Sequence, residues 1–160
     1  MKSKSKKTEK IIDVSKIKIG IVVSSYHHKI TEKLKLGAIE SLLLHGILVE
    51  HIHFLEVPGA FELVAGADKL NRLVQPDGII ILGCVIKGDT EHDTYINHAV
   101  AQGIITLTIQ EKKPFAFGLL TTNNLKQAKD RSGGKLENKG EEAASALLGL
   151  LTSSPNIVTL

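Results

Sequence analysis

Apolar positions along the chain fall into two alternating kinds of segment. Residues 17–23 (IKIGIVV) and 79–82 (IIIL) are short runs rich in β-branched residues. They are too brief for helices and predict strands buried on both faces. Residues 48–55 and 114–120 (PFAFGLL) predict two more strands. Between these runs, apolar residues recur at helical spacing. A helix from about Ile30 carries Leu34, Ala38, Ile39, Leu42 and Leu43 on one face and stops at Gly46. A second, residues 60–74, follows the Pro58-Gly59 break, and Pro76-Asp77-Gly78 turns the chain into the third strand. A third begins near Glu91 and carries Ile96, Ala99, Val100, Gly103, Ile104 and Leu107. Two helices close the pattern, residues 125–131 and 140–151, with Ala143, Ala144, Leu147, Leu148 and Leu151 on the buried side of the last. Strands alternating with helices predict an α/β fold: a parallel four-stranded sheet with right-handed crossovers and helices on both faces.

At 160 residues and 42% hydrophobic content, the chain suits one domain with a sizeable core. The formal charge of +3 is misleading, because the first ten residues (MKSKSKKTEK) carry five lysines and one glutamate, a net +4. The other 150 residues are thus close to −1, which argues against a nucleic-acid-binding surface. Residues 1–16 are expected to form a basic flexible arm, 17–151 the folded domain and 152–160 a tail. Cys84 is the single cysteine, so no intrachain disulfide can form and a reducing compartment is expected. No signal-like segment and no stretch long enough to span a bilayer stands in the sequence, so a cytoplasmic location without membrane contact is expected.

In parallel sheets, ligands collect where strands end and helices begin. Four such loops carry polar groups: 24–28, 56–62, 83–92 and 121–124. The third (GCVIKGDTEH) combines a glycine hinge, Asp89, Thr90 and His92. Free N–H groups at Gly88-Asp89-Thr90 with the Thr90 hydroxyl would suit a phosphate; an ordinary helix cap by Asp89 or Thr90 is the alternative. The glycine spacing mimics a Walker A loop, but Asp89 occupies the lysine position, so no nucleoside triphosphate is implied. His92, in the first turn of the following helix, is a candidate proton carrier. Phe61 and Glu62 start another helix on the same edge. There Glu62 could accept hydrogen bonds from a polyhydroxylated ligand, or simply favour the helix dipole. Tyr26 and Phe117 are two of six aromatics and could flank a flat heterocycle. Arg131, Lys135 and Lys139 could hold an anion, with a solvated basic loop as the alternative. His51 and His53 are expected on one strand face, but they lack the third ligand that a metal site needs.

These residues resemble the lumazine synthase family. The segments IGIVVSSYHHKIT, VPGAFELV, GCVIKGDTEHDTYINHAV, PFAFGLLTT and RSGGKLENKGEEAASA fall in that family's order and at its spacing, from about Ile17 to Leu151. The resemblance implies a three-layer αβα sandwich whose four-stranded parallel sheet has flavodoxin-like order, with two C-terminal helices. It also implies a homopentamer with the active site between neighbouring copies. The implied reaction condenses 5-amino-6-(D-ribitylamino)uracil with 3,4-dihydroxy-2-butanone 4-phosphate through an imine, releasing phosphate and water, in riboflavin biosynthesis. No metal or organic cofactor is implied, and riboflavin synthase is the implied protein partner. By the same resemblance Tyr26 stacks on the ring, Ala60, Phe61 and Glu62 take the ribityl chain, and the backbone at Cys84, Val85 and Ile86 reads the pyrimidine. Phe117 forms a further wall and Lys139 lies near the ribityl chain. Asp89, Thr90 and Arg131 hold the phosphate, and His92 transfers protons.

The chain departs from the family's pattern at several of these positions. Tyr26 stands where phenylalanine or tryptophan is frequent, His27 where asparagine is common, and Asp93-Thr94 where an aromatic often follows the histidine. Asp89 puts a carboxylate beside the phosphate, which requires its backbone N–H to make the contact. In resembling proteins a short turn at 133–140 accompanies 60-subunit capsids, so the resemblance favours a capsid over a free pentamer or a decamer. Two other functions compete: a pentameric riboflavin synthase of related fold, and a non-catalytic shell protein that binds flavin or lumazine.

Overall fold

A computed structural model of the chain describes residues 12–153. Residues 1–11 and 154–160, which hold most of the expected arm and tail, lie outside the described residues. The elements run β1 (Ile19–Ser24), α1 (His28–Leu44), β2 (Ile52–Val57), α2 (Leu63–Val74), β3 (Gly78–Ile86), α3 (His92–Glu111), β4 (Phe115–Thr122), α4 (Leu125–Asp130) and α5 (Lys139–Thr152). All four strands are parallel, in the order β2-β1-β3-β4, as the resemblance implies. Their carboxyl ends therefore emerge along one edge of the sheet.

Helices cover both faces of this sheet, which explains why its two central strands are continuously apolar. On one side α1 and α5 enclose Ile19, Ile21, Val23, Ile80, Leu82 and Cys84. On the other, α2 and α3 enclose Val22, Ile79, Ile81, Val85 and Leu119. Each fully buried Leu or Ile contributes about 1.5–3 kcal/mol of transfer free energy. The expected faces of α1 and α3 are each one residue too wide. Leu43 is 43% exposed, and Ala99 faces outward beyond buried Val100, Ile104 and Leu107.

Two strand boundaries differ from expectation for a shared reason: a strand extends only as far as a partner supplies its ladder. The third strand, expected to end at Leu82, runs on to Ile86 because Gly83, Cys84, Val85 and Ile86 pair with Leu119, Leu120, Thr121 and Thr122. The second was expected from residue 48, yet β1 offers its first partner to Ile52, and Val49–His51 instead make a 3-10 turn. His51 therefore leaves the strand face expected to carry it beside His53, and its Nδ1 lies 2.8 Å from the carbonyl of Ser15. That contact anchors a further 3-10 turn, Val14–Lys16, in a segment assigned from sequence to the arm. The helix expected from Ala60 starts at Leu63, leaving Ala60, Phe61 and Glu62 in a turn.

Close packing of α1 against α5 depends on glycine. At Gly140 a Cβ would collide with the carbonyl of Leu34, and at Gly37 with the amide of Asn138. Asn138 caps α5 through Gly140 N–H (2.8 Å) while donating to the carbonyl of Lys33 at 3.0 Å. One side chain thus joins the two helices and fixes where the 131–138 turn ends. Gly140→Ala should cost about 1–3 kcal/mol, the usual penalty for overpacking a closed contact. Denaturant unfolding would register this as a lowered midpoint, whereas an unchanged midpoint would mean that the helices part without cost.

Candidate active site

Backbone hydrogen bonds bind neighbouring strand-end loops to one another. Ser25 N–H donates to the carbonyl of Val57 (2.8 Å), Tyr26 N–H to that of Pro58 (3.1 Å), and Lys87 N–H to that of Thr122 (2.8 Å). His27 adopts a left-handed backbone, φ 57°, which turns the chain into α1 and sets its ring edge-on to Tyr26 at 4.7 Å between centroids. At Gly59 a Cβ would come within 2.9 Å of a Glu62 carboxylate oxygen, so the glycine lets that carboxylate fold back over the turn.

These loops enclose a cleft of about 390 Å³, mostly apolar in lining. Its walls bring together Tyr26, Ala60, Phe61, Glu62, Cys84, Val85, Ile86, Thr90 and His92, nine of the positions singled out from sequence. Tyr26 and Phe61 are 66% and 64% exposed, so both rings are available to a flat ligand rather than consumed by the core. Burial pushes the Cys84 thiol up to about 11, which leaves it a neutral wall rather than a nucleophile. His92 is the first residue of α3 and is exposed. Its N–H reaches the Thr90 hydroxyl oxygen at 3.4 Å, while Glu91, the capping residue, makes no side-chain cap. The Asp89 cap considered from sequence is therefore not formed. Asp89 is exposed and lines neither this cleft nor the next.

A second cleft, about 660 Å³, runs along the β4 edge between that strand and the start of α5. It holds the remaining expected residues, Phe117, Arg131 and Lys139, together with Asn123, Gln127, Asp130 and Leu136. No residue lines both clefts. Phe117 shares a strand face with Phe115 and Leu119 yet is 41% exposed, and Arg131 is exposed at the end of α4. The turn that carries Arg131 is closed by the Ser132–Asn138 bridge and by Lys139 N–H donating to the Arg131 carbonyl at 3.0 Å. Lys139 Nζ is engaged at 3.0 Å with Glu142.

Several lining positions lie outside the expected site set. Gln127 and Asp130 belong to the short α4 and Asn123 stands just before it; Asn124 and Gln127 cap its start in a pattern legible as a helix signal. Asp93 and Ile96 enter the first cleft because the inner stripe of α3 begins one turn earlier than its apolar part indicates. Among the described residues, no group of three or more His, Cys, Asp or Glu is placed to hold a metal, and no helix is long and apolar enough to cross a membrane.

Comparison with known proteins bears on the whole domain. A family model described as 6,7-dimethyl-8-ribityllumazine synthase matches residues 16–154. Proteins of that name from Parabacteroides distasonis and Cytophaga hutchinsonii are 45% and 44% identical to this chain, over 89% and 96% of both its length and theirs. Another from Bacteroides fragilis is 45% identical over 84% of the chain and 94% of its own length. The chain belongs to the 6,7-dimethyl-8-ribityllumazine synthase family.

Proposed function

We propose that this chain condenses 5-amino-6-(D-ribitylamino)uracil with 3,4-dihydroxy-2-butanone 4-phosphate to form 6,7-dimethyl-8-ribityllumazine. The observation that carries the proposal is the first cleft: two exposed aromatic rings, a turn ending in Glu62, a strand-end backbone and His92 converge there. The pyrimidine lies against the backbone of residues 84–86, flanked by Tyr26, with its ribityl hydroxyls on the 60–62 turn. The 5-amino group attacks the ketone, the carbinolamine loses water to an imine, phosphate is eliminated to leave an enol that becomes a second ketone, and the ribityl-bearing nitrogen attacks that carbonyl and closes the ring with loss of a second water. Each step moves a proton, which His92 takes up or returns. Residues Gly88 to Thr90 receive the phosphate through backbone N–H groups, with the exposed Asp89 carboxylate turned to solvent.

Arg131, the phosphate clamp in this account, lines the other cleft with Phe117 and Lys139. That division supports a site completed between copies of the chain, the β4-edge cleft of one copy closing over the first cleft of the next. The assembly proposed is a homopentamer, with sixty chains forming a capsid. The single buried cysteine suits a cytoplasmic setting, and riboflavin synthase would take up the product. Domain boundaries of about 17–151 fit the same account, with the lysine-rich segment outside the catalytic body.

Holding the two reactants together supplies the largest share of the rate, worth up to about 7–11 kcal/mol. Proton transfer adds about 10²–10⁴-fold. His92→Ala should therefore lower kcat by about that factor without abolishing turnover. Arg131→Ala should chiefly raise the KM for the butanone phosphate. Mixing both substrates and following lumazine absorbance tests the reaction itself, and wild-type constants in either variant would remove that residue from the mechanism. Lumazine supplied alone should yield no riboflavin; its formation would favour the riboflavin synthase alternative.

Light scattering at micromolar concentration should give about 1.0 MDa, sixty chains of 17.3 kDa. A mass near 87 kDa, five chains, would end the capsid part of the proposal and leave the pentamer.

A further inference from the structure

The inner stripe of α3 changes character as it reaches the cleft. Its core-facing positions are apolar at Val100, Ile104 and Leu107, all buried in the layer beneath α2 and α3. Continued toward the start of the helix at the same spacing, the stripe passes through Asn97 and Asp93. Both are half-buried, and the Oδ1 atom of each is shut away from solvent without a hydrogen-bond partner. Among the described residues four buried side-chain atoms lack a partner, and three stand toward the carboxyl edge of the sheet: Asp93, Asn97 and the Ser24 hydroxyl at the end of β1. An unpaired buried acceptor costs about 1–3 kcal/mol, and more when charged. Polar groups at core-facing helix positions with nothing to bond are local violations of the kind that mark functional sites.

Asp93 also lines the cleft, beside His92 and below Cys84 to Ile86. A ligand that brings N–H or O–H donors to that wall meets the Asp93 carboxylate, and a carboxylate disfavours a phosphate there. Resting on the reaction proposed above, this divides the two substrates. The butanone phosphate brings a dianion, whereas the uracil brings two neighbouring amine nitrogens that the backbone of residues 84–86 leaves free. We infer that Asp93, backed by Asn97 one turn behind it, accepts hydrogen bonds from the amine edge of the diaminouracil and orients the attacking nitrogen toward the ketone. The carboxylate turns about its last torsion to meet the ligand, a movement favoured because its buried oxygen has no bond to lose.

The product supplies the control. On ring closure both amine nitrogens lose their hydrogens, so the lumazine offers that wall no donor. Fluorescence titration of the assembled protein with the diaminouracil alone, and separately with the lumazine, reads the difference. Asp93→Ala should weaken diaminouracil binding about 10–100-fold, the range for a hydrogen bond to a charged group. Lumazine affinity should be unchanged or tighter, and the KM for the butanone phosphate should stay within about twofold. Asp93→Asn, which keeps shape and one acceptor, should fall between, with an unaltered melting temperature to certify the fold. Equal losses for both ligands, or no loss for either, would overturn the assignment. Because the titrations read binding, a chain that takes the diaminouracil but forms no lumazine would sink the proposed reaction while still deciding the role of Asp93.

Discussion

Everything at the site depends on the parallel pairing of β3 with β1 on one side and β4 on the other. Parallel strands joined by right-handed helical crossovers must all end on the same edge, so loops distant in sequence meet there. Residues from 26 to 96 line one cleft for this reason alone. The pairing also sets how far β3 runs. Four ladder partners on β4 hold residues 83–86 extended, so a backbone that would otherwise turn stays straight and flat against the cleft. Buried side chains on both faces of β3 then fix that backbone from behind, with Cys84 as inert filling.

The same topology explains why one chain carries the expected site residues in two clefts. β4 is an edge strand, and the turn beyond it is tied to α5 by Asn138 and to α4 by the backbone of residues 129–131. Arg131, Phe117 and Lys139 are thus held on the outside of the sheet, in a cleft that shares no residue with the one holding His92. One cleft thus holds two exposed aromatics and the other an exposed aromatic with an arginine. The polar end of the α3 stripe brings Asp93 to the wall of the first cleft, near Gly88 and Thr90.

Much of this was legible in the residues. The β-branched runs at 17–23 and 79–82 announced buried strands, and alternation with amphipathic helices announced a parallel sheet. Five segments in register indicated the family and nominated the site positions. Strand and helix ends were less legible, because they depend on partners that sequence pattern does not name: Ile52 rather than Leu48 begins β2 because β1 begins opposite it. His51 left its expected face for the same reason. The split between two clefts was invisible locally, since nothing in Phe117 or Arg131 records which side of an edge strand a ligand approaches. In sequence Asp93 differs only from the family's pattern; the fold is what puts the core-facing stripe of α3 through it.

The central claim is that a working site takes His92 from one copy of the chain and Arg131 from another. Subunit mixing tests it most directly: His92→Ala and Arg131→Ala proteins are unfolded, combined and refolded together, and lumazine formation is measured with both substrates below KM. Mixed assemblies should exceed the average of the two parents, because some of their sites receive an intact residue from each variant. Activity that never rises above that average, in assemblies shown to contain both chains, would place the two residues in a single chain's site and contradict the account.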